Sequence, residues 1–370
     1  MSTKSHPTSV PVAFVSDSMP ERNGVGAYYR DLIDQLEALD GPRRFETCFV
    51  CPGGAARAGV NIPLPGDATQ RVYLPSPREF SRLMRSLKPA VIVVATPGPF
   101  GLLGMRWARK LSVPLIVGFH TDYAGVTDLY QTSILRMLSR GYFRRIDRLL
   151  FRRAEHVLVN TTAMIEQAER LGARRVRRIG TLVPRILLDT PPQPHSGTIH
   201  TVLFAGRLAP EKRLGQVLDA AAAMPDLDFV IAGDGPLKAE IVRAAATLDN
   251  LDYAGWVNRE TLMQHLDAAD ALVLPSEFES FGNVALEAMA RARIAIVTAS
   301  CGIAHWSRLA RHLVVHDGDE ALTSVLQRVR GQPSQTLSRQ AEQARQAAVA
   351  LNAASLAEWI ELLAAGHVEP

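Results

Sequence analysis

Short apolar runs alternate with amphipathic stretches of helical periodicity along nearly the whole chain, and this alternation constrains the fold most. In the first half, the apolar runs that predict strands lie at 10–16, 45–51, 91–95, 115–118 and 157–159. The stretches that predict helices lie at 26–39, 81–87, 101–111, 134–153 and 163–171. Strands that alternate with helices form parallel sheets, because each helix returns the chain to the edge where the next strand begins.

The alternation stops at residues 184–197, which contain four prolines and no apolar period and therefore predict a linker. Beyond it, strands are predicted at 201–205, 229–232, 251–254, 271–274 and 294–298. Helices are predicted at 214–223, 237–248, 260–267 and 283–292. We therefore predict an N-terminal domain at 1–183, a C-terminal domain at 198–332, and an alanine-rich helical tail at 333–370 that packs back on the N-terminal domain.

This organisation predicts an α/β protein with two Rossmann-like domains, whose parallel sheets face each other across a cleft. The length of 370 residues suits two domains of ordinary size. Open parallel sheets bind their ligands beyond the carboxyl ends of the strands. We therefore expect the functional residues in the loops that follow the strands.

The composition is that of a globular protein, with 47% hydrophobic and 21% charged residues. The longest uninterrupted apolar runs, such as 91–95 and 114–119, are well below the roughly 18 residues that span a bilayer. The first residues do not resemble a signal peptide, so we expect a cytoplasmic protein. A single CxxC pair, Cys48 and Cys51, is interpreted as two ordinary strand residues.

Basic residues are concentrated in the first half of the chain, although the net charge is only +4. One group of seven comprises Arg136, Arg140, Arg144, Arg145, Arg148, Arg152 and Arg153. A second group comprises Arg71, Arg78, Arg82, Arg85 and Lys88. Such asymmetry indicates an anionic partner, which is nucleic acid, phospholipid head groups or a phosphorylated substrate. Nucleic acid is disfavoured, since aromatic residues make up only 6% and no nucleic-acid-binding module is recognisable.

The strongest signal for chemistry is the segment 275–290, which follows a predicted buried strand and opens a helix near Gly282. Backbone amides at such a helix start form a site for a diphosphate. Glu279 and Glu287 lie eight residues apart, at most about 12 Å along a helix. Carboxylates accept hydrogen bonds from sugar hydroxyls, so the pair can bind a donor sugar and a ribose. The alternative for Glu287, a solvated helix face, is weakened by its apolar neighbours.

A second segment, 204–213, also follows a predicted strand and contains Arg207 and Lys212. These cations can neutralise a departing diphosphate without a metal, although taken alone they are ordinary surface charges. Two DxD triplets, at 226–228 and 317–319, are interpreted as turn residues and not as a manganese site. We therefore predict no metal and no cofactor, with a nucleotide sugar as co-substrate.

Three further loops follow predicted strands. Gly233 lies in a turn that does not match the dinucleotide signature GxGxxG, which disfavours a nicotinamide cofactor. The segment 23–26 is either a loop whose backbone approaches a phosphate or a sugar, or a simple turn. His120 and Asp122 end the fourth strand, where ligands bind, although a lone histidine is more often structural.

Together these elements resemble the retaining glycosyltransferases of family GT4, which have the GT-B fold, over nearly the whole chain. Glu279 and Glu287 match the E-x7-E signature of that family. Arg207 and Lys212 match its diphosphate-binding residues, and Gly24 matches its N-terminal glycine loop. The combination is specific, whereas each motif alone is not.

The resemblance implies a role for each matching residue. The implied catalytic residues are His120 near the anomeric carbon, Arg207 and Lys212 on the diphosphate, and Glu279 on the donor sugar. The implied residues for the donor and its nucleotide are Gly24, Gly206, Gly233, Trp256, Val257, Phe281, Gly282, Asn283, Val284 and Glu287. Among these, Glu287 would bind the ribose, and Trp256 and Val257 the base. The implied acceptor residues are Asn23, Asp122 and Tyr123.

Within the family, the segments 23–25, 97–99 and 119–123 look most like the branch that glycosylates membrane lipids. We therefore predict transfer of a hexose from GDP-mannose or a UDP-hexose to a lipid hydroxyl, at the inner face of the cytoplasmic membrane. The alternatives are a transferase with a soluble or polysaccharide acceptor and a non-catalytic nucleotide-sugar-binding protein. The chain departs from the family pattern at 291–297 and 300–306, which are both expected near the donor sugar or its phosphate.

Overall fold

A computed structural model of the chain describes residues 8–19, 24–39, 43–54, 58–64, 67–121 and 133–365. The chain divides into two compact units, Met1–Leu182 with Ala354–Pro370, and Val183–Ala353. The segment predicted as a linker, 184–197, belongs to the second unit. The segment predicted as a tail, 333–370, is divided between both units.

The first unit is built on a six-stranded parallel sheet and an antiparallel hairpin. Its strands are β1 (Thr8–Val15), β2 (Arg43–Val50), β3 (Ala58–Leu64), β4 (Asp67–Pro75), β5 (Val91–Val94), β6 (Leu115–Phe119), β7 (His156–Val159) and β8 (Val176–Arg178). The hairpin is β3-β4, and the sheet order is β2-β1-β5-β6-β7-β8. Its helices are α1 (Gly24–Glu37), α2 (Pro77–Leu87), α3 (Pro99–Leu111), α4 (Ser133–Phe151) and α5 (Thr162–Arg170).

Helices cover both faces of this sheet, and the sheet separates two hydrophobic cores. Helices α2 to α5 pack on one face, where Phe80, Trp107 and Leu150 are buried. Helix α1 packs on the other face, where Tyr29 and Trp359 are buried. The basic residues of α2 and of α4 therefore belong to helices that cover the same face of the sheet.

The second unit has one six-stranded parallel sheet. Its strands are β9 (Thr201–Ala205), β10 (Asp228–Ala232), β11 (Leu251–Gly255), β12 (Ala271–Leu274), β13 (Ile294–Thr298) and β14 (Val314–His316), in the order β11-β10-β9-β12-β13-β14. Its helices are α6 (Arg185–Asp189), α7 (Leu214–Ala223), α8 (Lys238–Ala245), α9 (Arg259–Ala268), α10 (Asn283–Ala290), α11 (Ser307–Ala310), α12 (Leu322–Arg330) and α13 (Ser334–Ala365). The sheet order reverses between β9 and β12, where sheets of this type bind ligands.

The predicted α/β fold with two Rossmann-like parallel sheets is confirmed, and most element positions agree to within a few residues. The sequence pattern does not predict the hairpin β3-β4, strands β8 and β14, or helix α12. Strands β8 and β14 have only three residues each and are largely half-buried or exposed, so neither contains an apolar run. The segment 184–197, for which no regular structure is predicted, contains the short helix α6.

Two arginines explain one departure from the family pattern. Arg291 is fully buried, lies 2.6 Å from a carboxylate oxygen of Asp267, and donates hydrogen bonds to the carbonyls of Leu187 and Pro191. Arg293 donates to the carbonyl of Gln193 at 2.9 Å. The expectation that segment 291–297 lies near the donor is wrong for residues 291–293, because they join α10 to the start of β13, opposite the carboxyl ends of the strands. These arginines instead anchor residues 187–193 to the second unit.

Helix α13 is the one described helix that is long and apolar enough, by length and composition alone, to cross a membrane. Its side chains nevertheless contribute to the cores of both units. Ala341 and Ala344 are buried in the core of the second unit. Trp359 is fully buried in the first unit, where Nε1 donates a hydrogen bond to the hydroxyl of Tyr28 at 2.6 Å. These are the contacts of a helix that packs within the protein.

Candidate active site

The loops that follow β9 and β12 carry the residues predicted to bind the diphosphate and the donor sugar, and the structure brings them together. The backbone amide of Glu277 donates a hydrogen bond to the carbonyl of Glu211 at 2.8 Å, which joins the two loops. Lys212 and Glu279 form an ion pair across this junction. The two loops meet because β9 and β12 are neighbours in the sheet, although distant in sequence.

Both predicted cations of this site are ion-paired. The side chains of Lys212 and Glu279 are only 13% and 21% exposed. Nη2 of Arg207 donates a hydrogen bond to Oε1 of Glu211 at 3.1 Å, and the sequence analysis did not single out Glu211. The spacing of four residues gave no signal for this pair, because Arg207 lies in a loop and the rule for such a spacing holds on helices. These carboxylates neutralise the two cations, and a diphosphate can take their place because it offers several charged oxygens.

Gly282 makes the turn into helix α10. It is buried and has a φ of +99°, a conformation that favours glycine. A Cβ at this position would lie 2.8 Å from Sγ of Cys301. The helix that follows begins with Asn283 and Val284, and the N–H groups of a first turn have no partners inside their helix. This geometry suits the predicted anion site.

The 3₁₀ turn Gly302–His305 supports the loop that carries Glu279. The amide of Gly302 donates to the carbonyl of Glu279 at 2.9 Å, and the amide of Ile303 donates to that of Phe281 at 2.7 Å. Phe281 is buried, with its ring centroid 6.0 Å from that of Trp306. The departure from the family pattern at 300–306 therefore does lie beside the glutamate assigned to the donor sugar.

Glu287 lies in the second turn of α10 and is buried, so a solvated helix face is not its environment. Nη1 of Arg259 lies 2.7 Å from Oε1 of Glu287. The sequence analysis did not single out Arg259. Trp256 and Val257, assigned to the base, lie just before Arg259 in the loop after β11, and Trp256 is 56% exposed.

Gly206 and Gly233 bring the loops after β9 and β10 into contact. The amide of Gly206 donates to the carbonyl of Ala232 at 3.0 Å. A Cβ on Gly233, whose φ is +149°, would lie 1.8 Å from the carbonyl oxygen of Gly206. Any side chain at Gly233 would therefore push apart the two loops that frame Arg207.

In the first unit, His120 follows β6 and is buried, and both of its ring nitrogens form hydrogen bonds with side chains. Nδ1 lies 2.7 Å from Oδ1 of Asn160, and Nε2 lies 2.9 Å from the hydroxyl of Tyr29. Because the amide oxygen can only accept, Nδ1 carries the proton and the hydroxyl donates to Nε2. Burial lowers the pKa of His120 to about 4, although the hydrogen bond that Nδ1 donates to Asn160 acts to raise it. His120 is therefore neutral at physiological pH.

The other predicted residues of the first unit are only partly described. Gly24 is the first residue of α1, as predicted for a loop that opens a helix. The acceptor residues Asn23, Asp122 and Tyr123 lie outside the described residues.

Asp17, which the sequence analysis did not single out, follows β1, and its carboxylate caps the N-terminus of α3 although it is distant in sequence. It accepts hydrogen bonds from the amides of Gly98 and Phe100 at 2.9 and 2.8 Å. Burial raises its pKa to about 6, although these hydrogen bonds and one from Thr96 act in the opposite direction. Asp17 thereby connects the loop after β1 to the start of α3, at the carboxyl edge of the first sheet.

No group of three or more histidine, cysteine, aspartate or glutamate residues that could hold a metal ion occurs in the described part of the chain. The two DxD triplets make local or ion-pair contacts. Asp226 pairs with Arg330. Asp317 accepts a hydrogen bond from the amide of Asp319 at 3.3 Å.

Helices α2 and α4 present a basic surface. The exposed arginines of α4 and the turn after it are Arg140, Arg144, Arg145, Arg148, Arg152 and Arg153, and those of α2 are Arg78, Arg82 and Arg85, followed by exposed Lys88. A groove of about 470 Å³ is lined by Arg145, Arg148, Leu149, Arg152 and Arg153. Tyr142 and Leu149 are 49% and 37% exposed among these arginines. We call this set of residues the basic face.

Curated relatives match about three quarters of this chain. A GDP-mannose-dependent alpha-mannosyltransferase of Mycolicibacterium smegmatis is 28% identical over 302 residues, which are 75% of this chain and 77% of the relative. A GDP-mannose-dependent alpha-(1-6)-phosphatidylinositol dimannoside mannosyltransferase of Mycobacterium tuberculosis is 28% identical over 294 residues, 73% of this chain and 75% of the relative.

The crystal structure of HepE from Anabaena in complex with UDP and glucose superposes with a TM-score of 0.65 at 16% identity, over 95% of this chain and 99% of that one. The crystal structure of WaaG, a glycosyltransferase involved in lipopolysaccharide biosynthesis, superposes with a TM-score of 0.65 at 18% identity, over 94% of this chain and 98% of that one. The model described as glycosyltransferase family 4 matches residues 22–185, and the model described as glycosyl transferases group 1 matches residues 190–347. These two models together match most of the chain, which therefore belongs to the GT4 glycosyltransferases.

Proposed function

We propose that this enzyme is a retaining hexosyltransferase that uses GDP-mannose or a UDP-hexose and transfers the hexose to a hydroxyl group of a membrane lipid. The observation that carries the donor assignment is the ion pair of Lys212 with Glu279, beside that of Arg207 with Glu211. These ion pairs bring together two cations, which would bind a diphosphate, and the carboxylate of Glu279, which would bind the sugar. The mycobacterial relatives named for GDP-mannose and the Anabaena structure with UDP and glucose support a nucleotide sugar.

Donor binding exchanges the partners of these side chains. Lys212 and Arg207 turn to the diphosphate oxygens, and Glu279 accepts hydrogen bonds from hydroxyl groups of the hexose. The bond between the anomeric carbon and the phosphate oxygen then breaks, and negative charge develops on the diphosphate. The two cations stabilise that charge, which is the role that a metal ion has in other transferases. We therefore propose that the reaction is independent of metal ions.

The nucleoside is bound by the other loops of the second unit. Glu287 accepts hydrogen bonds from the ribose hydroxyls, and Trp256 and Val257 contact the base. Gly206 and Gly233 hold the loops after β9 and β10 close together beside the phosphates, because a side chain at Gly233 would meet the carbonyl oxygen of Gly206. The start of α10 and the two residues before it, Phe281, Gly282, Asn283 and Val284, offer backbone amides to the phosphate and the sugar.

The acceptor hydroxyl attacks the anomeric carbon from the face that the diphosphate leaves, and its proton passes to the departing phosphate oxygen. The new bond thus keeps the anomeric configuration, and no side-chain nucleophile is needed. His120 lies near the anomeric carbon in this proposal, as a neutral group that Asn160 orients. Contact with the sugar through Nε2 requires the Tyr29 hydroxyl to share or leave that nitrogen. Asn23, Asp122 and Tyr123 are proposed to bind the acceptor.

The basic face supports a lipid acceptor at an anionic membrane surface, which would be the inner face of the cytoplasmic membrane. Each exposed arginine near an anionic bilayer adds roughly 1 kcal/mol of attraction, and exposed Tyr142 and Leu149 can enter the head-group region. The relative named for phosphatidylinositol dimannoside is consistent with such an acceptor. The competing proposal is a soluble or polysaccharide acceptor.

The test is nucleotide release from a panel that contains GDP-mannose, UDP-glucose, UDP-galactose and UDP-N-acetylglucosamine. We expect slow release of GDP or UDP from one donor by water, and faster release when extracted membrane lipids are added. The Glu279→Gln variant should release at least about tenfold less, because a charged hydrogen-bond acceptor is lost. Binding of a donor without any release would favour a non-catalytic nucleotide-sugar-binding protein.

A further inference from the structure

We infer that Arg259 is a positioning residue, which holds the carboxylate of Glu287 in the orientation that binds the ribose diol of the donor. This inference rests on the proposed function, because it assumes that Glu287 contacts the ribose. It adds a residue from a different element, the start of α9, to the nucleotide site.

The environment of Glu287 requires a cation. Its side chain is 8% exposed, and its neighbours Leu286 and Ala288 are fully or almost fully buried. A buried carboxylate is costly unless an opposite charge and hydrogen bonds accompany it. Neighbouring cations at this edge of the sheet pair with other carboxylates, namely Lys212 with Glu279, Arg207 with Glu211, Arg213 with Glu277 and Lys238 with Asp234. Neutralisation of Glu287 in the described structure therefore depends on Arg259.

The hydrogen bond between Arg259 and Glu287 engages one oxygen of the carboxylate and leaves the other for a ligand. Nη1 of Arg259 donates to Oε1 of Glu287 at 2.7 Å, the length of a charge-assisted hydrogen bond. Among the described residues, Arg259 is the one side chain that binds this carboxylate. Oε2 is therefore available to one ribose hydroxyl, and the second lone pair of Oε1 to the other.

The position of Arg259 in the chain links the two halves of the nucleoside site. It is the first residue of α9, and the side chain of Asn258 caps that helix by accepting from the amide of Thr261 at 2.8 Å. The loop immediately before it carries Trp256 and Val257. The hydrogen bond from Arg259 to Glu287 thus fastens the loop that contacts the base to the helix that contacts the ribose.

The experiment measures affinity for UDP and GDP, and for their 2′,3′-dideoxy analogues, by calorimetry. For the nucleotide that the wild type prefers, we expect the ribose form to bind at least about tenfold more tightly than the dideoxy form. Arg259→Ala should lose most of this ratio while it binds the dideoxy form as the wild type does. Arg259→Lys, which keeps the charge but not the planar fork, should retain part of the ratio. The double variant with Glu287→Gln should lose no more than Glu287→Gln alone.

The matched control is Arg330→Ala, which breaks an exposed ion pair of the same unit with Asp226 and should leave all affinities unchanged. Equal weakening of ribose and dideoxy forms by Arg259→Ala would overturn the inference, because it would mean that Arg259 contacts the base or the phosphates directly. An unchanged ratio in both folded Arg259 variants would also overturn it. Failure of the wild type to bind any nucleotide would instead contradict the proposed function.

Discussion

Nδ1 of His120 donates a hydrogen bond of 2.7 Å to Oδ1 of Asn160, across two neighbouring strand ends of the first sheet. The two residues follow β6 and β7, which pair in parallel register. This hydrogen bond fixes the tautomer of the imidazole, and burial keeps the ring neutral. The imidazole of His120 is therefore a neutral polar group with a fixed orientation.

The first prediction concerns stability below neutral pH. In the unfolded chain His120 binds a proton near its ordinary pKa of 6.5, whereas in the folded chain it stays neutral down to about 4. Acidification through this window therefore favours the unfolded state, which binds more protons. Between pH 7.5 and pH 5, the free energy of unfolding of the wild type should fall about 2 kcal/mol more than that of His120→Asn. Urea denaturation at both pH values measures this, and an equal fall in both proteins would contradict it.

The second prediction separates chemistry from nucleotide binding. His120 lies in the first unit, and the residues proposed to bind the nucleotide lie mostly in the second. His120→Ala should therefore keep affinity for the nucleoside diphosphate within a few-fold, while turnover falls about a hundred-fold or more. Calorimetry and initial rates measure the two quantities. Equal losses in both would mean that His120 has a structural role.

The third prediction concerns the diphosphate. Arg207→Ala and Lys212→Ala should each lower kcat/KM by about a hundred-fold or more, because each removes stabilisation of charge that develops in the transition state. Arg345→Ala, at a surface ion pair with Glu342 in the same unit, is the control and should have no effect. Normal kcat/KM in both folded variants would remove these cations from the site.

Metal independence is the fourth prediction. Because the charge of the departing diphosphate is met by two side-chain cations, turnover should persist in excess EDTA. The assay compares untreated enzyme, enzyme with EDTA, and enzyme with EDTA followed by excess manganese or magnesium. Loss of activity that either metal restores would show that the donor site has been misinterpreted.

The fifth prediction concerns the basic face. Sedimentation with vesicles should show binding that requires anionic lipid and weakens steeply with salt. Changing Arg140, Arg144 and Arg148 together to serine should weaken binding about a hundred-fold, since each arginine adds roughly 1 kcal/mol. The control is the same change at Arg243, Arg311 and Arg339, exposed arginines of the second unit. If the wild type ignores anionic vesicles at low salt, a soluble acceptor becomes the better proposal.

Sequence reasoning predicted that the loops after β9 and β12 carry the candidate donor residues, because this prediction depends on a local rule. Arg207, Lys212 and Glu279 each follow a recognisable apolar strand, and ligands of parallel sheets bind at strand ends. The sequence analysis missed Arg259 and Asn160, because the contacts that make them important are distant in sequence. Arg259 contacts Glu287, 28 residues away, and Asn160 contacts His120, 40 residues away. No local pattern encodes such pairings, which depend on how the strands are ordered in each sheet.

The segment 291–293 shows a second limit of sequence reasoning, which is that residues beside a motif in the sequence need not lie beside it in the structure. A departure from a family motif next to functional residues in sequence suggested a change in the donor site. The structure places Arg291 at the opposite end of the strand, buried against Asp267 and the carbonyls of 187–191. Gly282 and Arg291 lie at opposite ends of α10 and are separated by the length of that helix. A residue close to a motif in the sequence can therefore lie far from the ligand that the motif binds.

The most direct test of the central claim is the anomeric configuration of the product. The enzyme would be incubated with the donor that it turns over and with a purified lipid acceptor, and both the glycosylated lipid and the released nucleotide would be analysed. The account predicts an α-linked hexose from an α-linked donor, by NMR, with one nucleoside diphosphate released for each lipid glycosylated. A β-linked product, or transfer without stoichiometric release of the diphosphate, would contradict it.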